Sequence, residues 1–416
     1  MGAVQTSLGH YDSAVIRLRR ALALAPDCAE AHINLCNALR MQGGDIDSAI
    51  RHGEHGVALQ PSTPEAHLNL ANAQGASGDI PGAIRSYERT LALRPELAEV
   101  HRHLSLCIDY TPDHPHLRDM RLLAAGKWSD TDRMHLNFAL AKAEEDCGNT
   151  AASFRLYSAA NMLKRQAIRY DRTEPARIRD AVLTVDTRLQ NAGAMVRNND
   201  APSGIFIVGL PRCGSTLAEQ IVSLNPMVHD LGETALLADA VAHSGITGTP
   251  ADDMAALQDM ADSYARAVMK KSGGNRLVTD KALGNFWYCG LIARTVPGAR
   301  IVHMTRNPMD QVLSVYRNYF VNGNGFAYDL NEIAAYFHEH MLLMAEWKLR
   351  YPDLVFTCDY DDLVTDPETV IPALITFCGF TWDPAYLHPQ KNPRTVFTAS
   401  VVQVRQPIYT TSVRGW

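Results

Sequence analysis

Short apolar-rich runs alternate with longer segments of helical composition in the second half of the chain. The runs lie at 205–208, 276–280, 299–305 and 354–357, and the helical segments include 309–319, 331–350 and 367–378. Strands that alternate with helices predict an α/β domain with a mainly parallel sheet. Because ligands bind at the carboxyl ends of such strands, the residues that follow these runs are the first candidates for a functional site.

The first half follows a different pattern, which recurs every 34 or 35 residues. The recurring positions are Pro26, Pro61 and Pro95, Gly9, Gly44 and Gly78, Ala14, Ala49 and Ala83, and His32, His67 and His101. Each unit has a predicted helix, a Gly-Asp type of turn, a second helix with small residues and a closing proline. This period resembles the tetratricopeptide repeat, which predicts an α-helical solenoid. A degenerate unit follows at 135–170, after an irregular stretch at 110–133 that is an insertion or a distorted repeat.

The usual role of such a solenoid is to present a concave surface to a peptide or a partner protein. A structural spacer or a dimerisation arm is the alternative, so a homodimer is compatible with the pattern. The recurring histidines do not predict a metal site, because they recur with the repeat and are expected to pack or to lie on helix surfaces. The first unit has only part of its leading helix, so we expect either an absent upstream segment or a cap formed by residues 1–8.

Small and turn-forming residues at 191–203 predict a boundary between the two halves. We therefore expect tetratricopeptide-like helical repeats over 1–170, a helix and linker over 171–203, and an α/β domain of the P-loop type over 204–416.

Composition narrows the classes of function. The chain has 416 residues, 46% of them hydrophobic and 20% charged, which is typical of globular proteins. A net charge of −6 argues against a general nucleic-acid binder. The eight cysteines are scattered without a Cys-x-x-Cys pair, which indicates reduced thiols in a cytoplasmic protein rather than disulfides or a zinc site. The sequence predicts neither a transmembrane helix nor a signal peptide.

The first apolar run leads into a loop, Gly209 to Thr216, that has the spacing of a Walker A motif except that Ser215 occupies the lysine position. That lysine reaches the β- and γ-phosphates in nucleoside triphosphatases, so its absence disfavours a P-loop kinase. A strand, a Gly/Pro turn and a helix start are nevertheless the layout of an anion-binding loop. A strand-to-helix turn without a ligand is the alternative.

Four ordered motifs make the resemblance specific. Pro211–Thr216 resembles the P-R-[SC]-G-[ST]-T loop of sulfotransferases that use 3′-phosphoadenosine 5′-phosphosulfate (PAPS). Arg306 to Ser314 resembles their 3′-phosphate element R-x-P-x-D-x-x-x-S, and Tyr360–Pro367 their Y-E-D-L-x-x-D-P segment. Residues 398–407 resemble the tail of the bacterial members that carry tetratricopeptide repeats, which are relatives of the tyrosylprotein sulfotransferases.

The resemblance implies a PAPS-dependent enzyme that needs no metal and transfers a sulfuryl group to an acceptor hydroxyl. The acceptor stays open: the relatives suggest protein tyrosine, while a saccharide, a lipid or a small phenol fits equally. The implied donor-binding residues are Arg212, Cys213, Gly214, Ser215 and Thr216 around the 5′-phosphosulfate, and Arg306, Ser314 and Arg405 around the other phosphate. Guanidinium groups suit this task because they bind phosphate oxygens bidentately.

The implied catalytic residues are Glu233 as general base, Lys281 at the leaving oxygen, Ser400 near the bridging oxygen and Arg212 at the transferring group. His229 and His303 are alternative bases, although a packing role is expected for both. The Gly-containing aromatic stretch at 319–328 is either a flap over the substrate or a surface loop with buried aromatic side chains.

The main competing function is an interaction scaffold, in which the repeats bind a partner and the second domain binds PAPS or its product 3′,5′-adenosine bisphosphate (PAP) without catalysis. The tail departs from the family pattern because Gly415 stands before Trp416, where a basic residue is expected. Some donor contacts are therefore expected to be missing unless Arg414 replaces them.

Overall fold

The computed structural model describes residues 10–43, 45–196, 201–246, 253–392, 407–410 and 413. They form two compact units, one before Tyr170 and one from Tyr170 onward. The predicted domain limits at 170 and 203 remain a prediction. No helix within the described ranges is both long enough and apolar enough to cross a membrane.

The first unit is a succession of paired helices, which confirms the predicted helical repeats. The helices are α1 (Tyr11–Leu24), α2 (Ala29–Gln42), α3 (Ile46–Leu59), α4 (Pro64–Ser77), α5 (Ile80–Leu93), α6 (Ala98–Ser105), α7 (Pro115–Ala124), α8 (Asp130–Asp146) and α9 (Thr150–Ala167). The stretch 110–133 is a distorted repeat, since it contains α7, which packs on α8 and buries Leu117 and Met120 completely.

The Gly-Asp turns have a physical basis in the helix ends. Gly43 and Gly78 end the first helix of their unit with φ angles of 74° and 90°, the left-handed conformation that favours glycine. The aspartate that follows begins the second helix: Asp45 Oδ1 accepts a hydrogen bond from Ser48 N at 2.8 Å, and Asp79 Oδ1 accepts one from Gly82 N at 3.0 Å. In these two units a glycine ends one helix and the aspartate after it caps the next. The recurring Gly9 and Gly44 lie outside the described residues.

The recurring histidines connect each repeat to the one before it. Nε2 of His32, His67 and His101 donates to the carbonyl oxygen of the proline six residues earlier, at 2.8, 2.9 and 2.8 Å. All three side chains are buried. This shared hydrogen bond confirms a packing role and explains why histidine recurs with the repeat. The described residues include no group of three or more His, Cys, Asp or Glu side chains arranged to bind a metal ion.

The second unit is an α/β fold around a five-stranded, fully parallel sheet with the order β2-β3-β1-β4-β5. Its strands are β1 (Ser203–Gly209), β2 (His229–Asp230), β3 (Leu277–Asp280), β4 (Arg300–Thr305) and β5 (Val355–Asp359). Its helices are α10 (Glu174–Asn191), α11 (Ser215–Val222), α12 (Leu236–Ser244), α13 (Asp253–Lys271), α14 (Cys289–Thr295), α15 (Pro308–Tyr316), α16 (Leu330–Arg350), α17 (Tyr360–Thr365) and α18 (Pro367–Phe377), with 3-10 turns at Leu283–Tyr288, Gly325–Tyr328, Pro384–Leu387 and Pro389–Lys391. The predicted fold class is confirmed.

The central strand β1 explains how this sheet is covered on both faces. Phe206 and Val208 pack into one hydrophobic cluster, whereas Ile205 and Ile207 pack into another. Side chains alternate between the faces of a strand, so an uninterrupted apolar run predicts burial on both sides. Since β1 lies between β3 and β4 and all three are parallel, the segments that follow these strands emerge side by side at one edge.

Helix α10, which precedes the first strand, is part of this unit. Asp186 is 2% exposed and accepts hydrogen bonds from Arg294, Arg350 and the Tyr351 hydroxyl. Val185 and Leu189 on the same helix lie in the core. The segment predicted as a helix and linker thus supplies buried apolar and ionic contacts.

Candidate functional site

The loop between β1 and α11 has the backbone of a tight anion-binding turn. Gly214 has φ 89°, and a Cβ built there would lie 2.2 Å from Cδ2 of Tyr360, so only glycine fits. Arg212 has φ 68°, a conformation that costs a non-glycine residue about 1–3 kcal/mol. Strain of this kind is concentrated at functional loops, where the surrounding structure holds it in place.

Arginines from two separate motifs meet at this loop. Arg306 Nη1 donates to the backbone oxygen of Arg212 at 3.1 Å, and Arg212 Nε donates to Ser314 Oγ at 3.0 Å. The Arg306 guanidinium lies 4.9 Å from the centre of the Tyr360 ring, which belongs to the third motif. Burial lowers the pKa of Arg212, and the neighbouring charge of Arg306 lowers it further. Three of the four motifs therefore converge.

Gln311 fixes the position of the loop relative to α15. Its Nε2 donates to the carbonyl oxygens of Leu210 and Pro211 at 3.1 and 2.9 Å. Sequence reasoning missed this residue, although it lies inside the second motif, between Arg306 and Ser314. Its amide satisfies two backbone acceptors that the tight turn leaves without helix or sheet partners.

Of the remaining predicted loop residues, two begin the helix that follows the loop and one packs in the core beneath it. Ser215 and Thr216 are the first two residues of α11 and are 6% and 7% exposed. Cys213 packs in the hydrophobic cluster beneath the loop, and burial raises its pKa to about 11, so its thiol stays protonated. Cys213 can therefore contact a ligand through its backbone rather than through sulfur.

Glu233 and Lys281 form an ion pair at the end of β3. Lys281 Nζ donates to Glu233 Oε1 at 2.7 Å, and the lysine side chain is 1% exposed while that of Glu233 is 54% exposed. Asp280, just before the lysine, accepts from the Tyr264 hydroxyl at 2.9 Å and from Asn285 Nδ2 at 3.0 Å. These bonds fix the turn that carries Lys281.

Glu219 is a second carboxylate on Lys281 that sequence reasoning missed. Its Oε2 lies 3.7 Å from Lys281 Nζ, and its Oε1 accepts from Thr279 Oγ1 at 3.4 Å. Burial raises the pKa of Glu219 to about 7. Burial by itself would lower the pKa of Lys281, but the negative charges of Glu219 and Glu233 outweigh it and raise that pKa above the usual value. The sequence signal that could have placed Glu219 near the loop is its spacing: it follows Ser215 by four residues on α11, so both lie on the same face of the helix.

Part of the predicted site lies outside the described residues, namely Ser400, Arg405 and residues 414–416. The described tail segment 407–410 lies beside the loop. Burial raises the pKa of Tyr409, and its ring is close enough to Tyr360, Arg212 and Arg306 for their charges to act on it. Tyr409 is another neighbour of the loop that no sequence motif indicated.

The two alternative bases lie in different surroundings. His229 is half-buried in the short strand β2. His303 of β4 is 5% exposed, and its ring centre is 5.0 Å from that of His340 on α16. Among the described residues, His303 Nε2 and both ring nitrogens of His340 have no hydrogen-bond partner. His303 therefore packs in the core.

This buried histidine pair predicts acid lability. Burial lowers the pKa of His303 to about 4 and that of His340 well below its usual value, so both are neutral in the folded state. Their stabilisation is complete above the unfolded pKa of about 6.5 and is lost as the pH falls below it. When the pH is lowered from 7 to 5, the free energy of unfolding should fall by about 2 kcal/mol less in His340→Leu than in the wild type. Urea titrations at the two pH values measure this difference. His338→Leu, an exposed position on the same helix, should behave like the wild type, and equal losses in both variants would contradict this account.

The aromatic stretch at 319–328 is a loop with buried aromatic side chains. The Tyr328 hydroxyl accepts from Phe320 N at 3.0 Å and donates to Phe320 O at 2.8 Å. Phe326 stacks on Tyr336 with ring centres 3.9 Å apart. These contacts hold both ends of the loop, so the structure favours a packed loop over a flap.

Comparison with known proteins agrees with both parts of the chain. Residues 202–384 match the model of the sulfotransferase family, and residues 6–64 match that of the tetratricopeptide repeat. An uncharacterized protein of Aquifex aeolicus (strain VF5) is 31% identical over 300 residues, which are 68% of this chain. The chain spans 39% of the length of that relative.

Two solved structures are similar to part of the chain. The sulfotransferase domain from the curacin biosynthetic pathway is 15% identical, with coverage of 52% of this chain and 90% of that domain and a TM-score of 0.38. The sulfotransferase domain from the Synechococcus PCC 7002 olefin synthase is 20% identical, with coverage of 52% and 88% and a TM-score of 0.39. Residues 202–384 thus match a sulfotransferase domain, and tetratricopeptide repeats precede it.

Proposed function

We propose that the chain transfers a sulfuryl group from PAPS to an acceptor hydroxyl. The observation that carries this proposal is the convergence at one sheet edge of residues that lie far apart in sequence. Arg212 follows β1, Lys281 follows β3 and Arg306 follows β4, three adjacent parallel strands. Two guanidinium groups, an ammonium group and an accessible carboxylate provide both anion binding and proton acceptance.

The residues at the loop fit a donor that has two separate anionic groups, a phosphate and a phosphosulfate. Arg212 and Arg306 are close enough for their like charges to oppose each other, and an anion between them would offset this repulsion. Ser314 accepts from Arg212 Nε, so its own O–H remains available to a phosphate oxygen. We assign the 3′-phosphate to Arg306 and Ser314, and the 5′-phosphosulfate to the backbone from Arg212 to Thr216 at the start of α11.

The ion pair supplies the groups needed for transfer. Glu233 takes the proton of the acceptor hydroxyl, whose oxygen bonds to sulfur as the bond between sulfur and the bridging phosphate oxygen breaks. The Lys281 ammonium stabilises the negative charge that develops on the leaving phosphate. PAPS, when bound, supplies the sulfuryl group. By resemblance, Ser400 lies near the bridging oxygen and Arg405 near a phosphate of the donor.

Glu219 acts as a positioning residue in this proposal. Glu233 is half-exposed and can rotate toward an acceptor, whereas Glu219 is 7% exposed and stays on Lys281. The lysine therefore keeps one carboxylate partner after Glu233 has turned away. This holds the ammonium group charged and in place, since a buried cation without a partner is strongly destabilised.

The acceptor and the role of the repeats belong to the proposal as well. Protein tyrosine is the acceptor that the resemblance to the tyrosylprotein sulfotransferases suggests. A saccharide, a lipid or a small phenol has the same hydroxyl chemistry. We assign to the repeats the binding of a protein or peptide, which is either the acceptor itself or a partner. A homodimer formed through the repeats is the alternative use of the same surface.

Titration with PAP tests donor binding directly. PAP should bind at least tenfold more tightly than adenosine 5′-monophosphate, because only PAP has the 3′-phosphate that Arg306 contacts. Arg306→Gln should weaken PAP binding about 10- to 100-fold in calorimetric titration, the loss expected for a charge-assisted contact. Arg266→Gln, an exposed arginine on α13, should bind PAP like the wild type. Equal affinity for both nucleotides would contradict the assignment of the 3′-phosphate.

A further inference from the structure

Three consecutive carbonyl groups of the loop between β1 and α11 are held by side chains from one segment. Gln311 of α15 is 3% exposed, and its Nε2 donates to the carbonyl oxygens of Leu210 and Pro211 at 3.1 and 2.9 Å. The next carbonyl oxygen, that of Arg212, accepts from Arg306 Nη1 at 3.1 Å, and Arg306 comes two residues before α15. The carbonyl side of the loop therefore faces the segment that begins with Arg306 and continues as α15.

The orientation of these carbonyl groups determines where the amides of the loop point. No peptide bond among the described residues is cis. In a planar trans peptide the C=O and the N–H of the next residue point in opposite directions. The contact of Gln311 with the Pro211 carbonyl thus turns the N–H of Arg212 away from α15. The contact of Arg306 with the Arg212 carbonyl does the same for the N–H of Cys213.

The amide side of the loop has the features of an anion-binding surface. Within the described ranges, the N–H groups of Cys213 and Gly214 donate to no backbone oxygen. Arg212 has φ 68°, a strained conformation that persists only where the surrounding structure fixes it. Successive amides that point to one side of such a turn form a concave nest for an anion. The contacts on the carbonyl side supply this fixation and leave the amide side available.

We propose that Gln311 is a positioning residue for the 5′-phosphosulfate, because it holds the Pro211 carbonyl so that the loop amides stay aimed at that group. This inference rests on the proposed function, in which the loop binds the 5′-phosphosulfate, and it adds a residue that acts on the donor through the backbone. Without the two hydrogen bonds, the carbonyl groups of Leu210 and Pro211 are able to rotate toward the anion and repel it. The 3′-phosphate is assigned to the side chains of Arg306 and Ser314, so the effect should be confined to the 5′ end of the donor.

Calorimetric titration of the full chain with adenosine 5′-monophosphate (AMP), adenosine 3′-monophosphate and PAP tests this role. Gln311→Met removes both N–H donors at nearly the same side-chain size. AMP and PAP, which have a 5′-phosphate, should each bind about tenfold more weakly to this variant. Adenosine 3′-monophosphate lacks that phosphate and should stay within about twofold of the wild type. Gln258→Met makes the same substitution at an exposed position on α13 and should bind all three nucleotides like the wild type.

Equal weakening of all three nucleotides by Gln311→Met would mean that Gln311 only stabilises the domain, and unchanged AMP binding would mean that the loop does not need it. Either result would overturn the proposal. If circular dichroism shows that Gln311→Met does not fold, TROSY spectra of the ¹⁵N-labelled wild type decide the question. AMP should shift the amide proton resonances of Arg212 and Cys213 downfield, as hydrogen bonds to phosphate do, and adenosine should not.

The absence of these shifts with bound AMP would overturn the proposal as well. A wild type that bound none of the three nucleotides would instead contradict the proposed function. The two failures are therefore distinguishable, since a wrong role for Gln311 leaves nucleotide binding by the wild type intact.

Discussion

Glu233→Gln is expected to lower kcat for sulfuryl transfer by about 10²- to 10⁴-fold, the range for loss of a general base. The amide has the size of the carboxylate and can still accept from Lys281 through its oxygen, so the fold and the donor site should be preserved. It cannot, however, take the proton of the acceptor hydroxyl. Steady-state rates with PAPS and a phenolic acceptor measure the effect, and calorimetry should give unchanged PAP affinity.

Asp239→Asn is the matched control for this variant. Asp239 is an exposed carboxylate on α12, six residues after Glu233. The Asp239→Asn variant should therefore have the kcat of the wild type. If Glu233→Gln kept a kcat within about threefold of the wild type, Glu233 would not be the base. His229 would then be the next residue to test, because His303 is enclosed in the core.

Lys281→Met is expected to lower kcat about 10²- to 10³-fold, the loss typical of one electrostatic stabiliser of a transition state. It should also change stability, because Glu219 loses the cation that faces it. The pKa of Glu219 is already raised to about 7 in the folded chain, above its unfolded value near 4.5. This group's contribution to stability therefore falls as the pH rises from about 4.5 to about 7, and loss of the Lys281 charge extends that fall to higher pH. Relative to the wild type, the variant should lose more unfolding free energy at pH 8 than at pH 5.

The double variant Lys281→Met/Glu219→Gln separates the two effects. It removes the buried charge that the methionine leaves without a partner, so its stability at pH 8 should return toward that of the wild type. Its kcat should stay as low as that of Lys281→Met, because the ammonium group is still missing. Recovery of kcat along with stability would mean that Lys281 acts only through the fold.

The sequence was most informative where a local rule decides the structure. The apolar run at 205–208 predicted a strand, and β1 confirms it. The Gly-Asp recurrence predicted turns because glycine ends one helix and aspartate caps the next. The strands β3, β4 and β5 lie within two residues of the predicted runs. Strand β2 was missed, because its two residues are too short to show an alternating pattern.

The candidate site was predictable only as far as its motifs reach. Arg212, Arg306 and Ser314 were implied by the resemblance to the sulfotransferase motifs, and the structure brings them together. Glu219 and Tyr409 contribute through contacts made only in the folded chain. A glutamate inside a helix normally faces solvent, and only the burial of Lys281 beside it reveals another role. The pairing of Glu233 with Lys281 was also invisible in sequence, since 48 residues separate them.

The repeats show the same limit. The recurrence of His32, His67 and His101 was evident in the sequence, but its cause was not. Each histidine donates to a backbone carbonyl oxygen, and every residue type has such an acceptor, so the sequence does not mark the partner.

Transfer of ³⁵S from labelled PAPS to acceptors by the full chain tests the central claim most directly. Peptides with tyrosine, glycans and small phenols should be screened in parallel, with Glu233→Gln measured beside the wild type. The account predicts label on at least one acceptor class with the wild type, and a rate about 10²- to 10⁴-fold lower with the variant. PAP binding without transfer to any acceptor would contradict it and would favour an interaction scaffold with an inactive donor-binding domain.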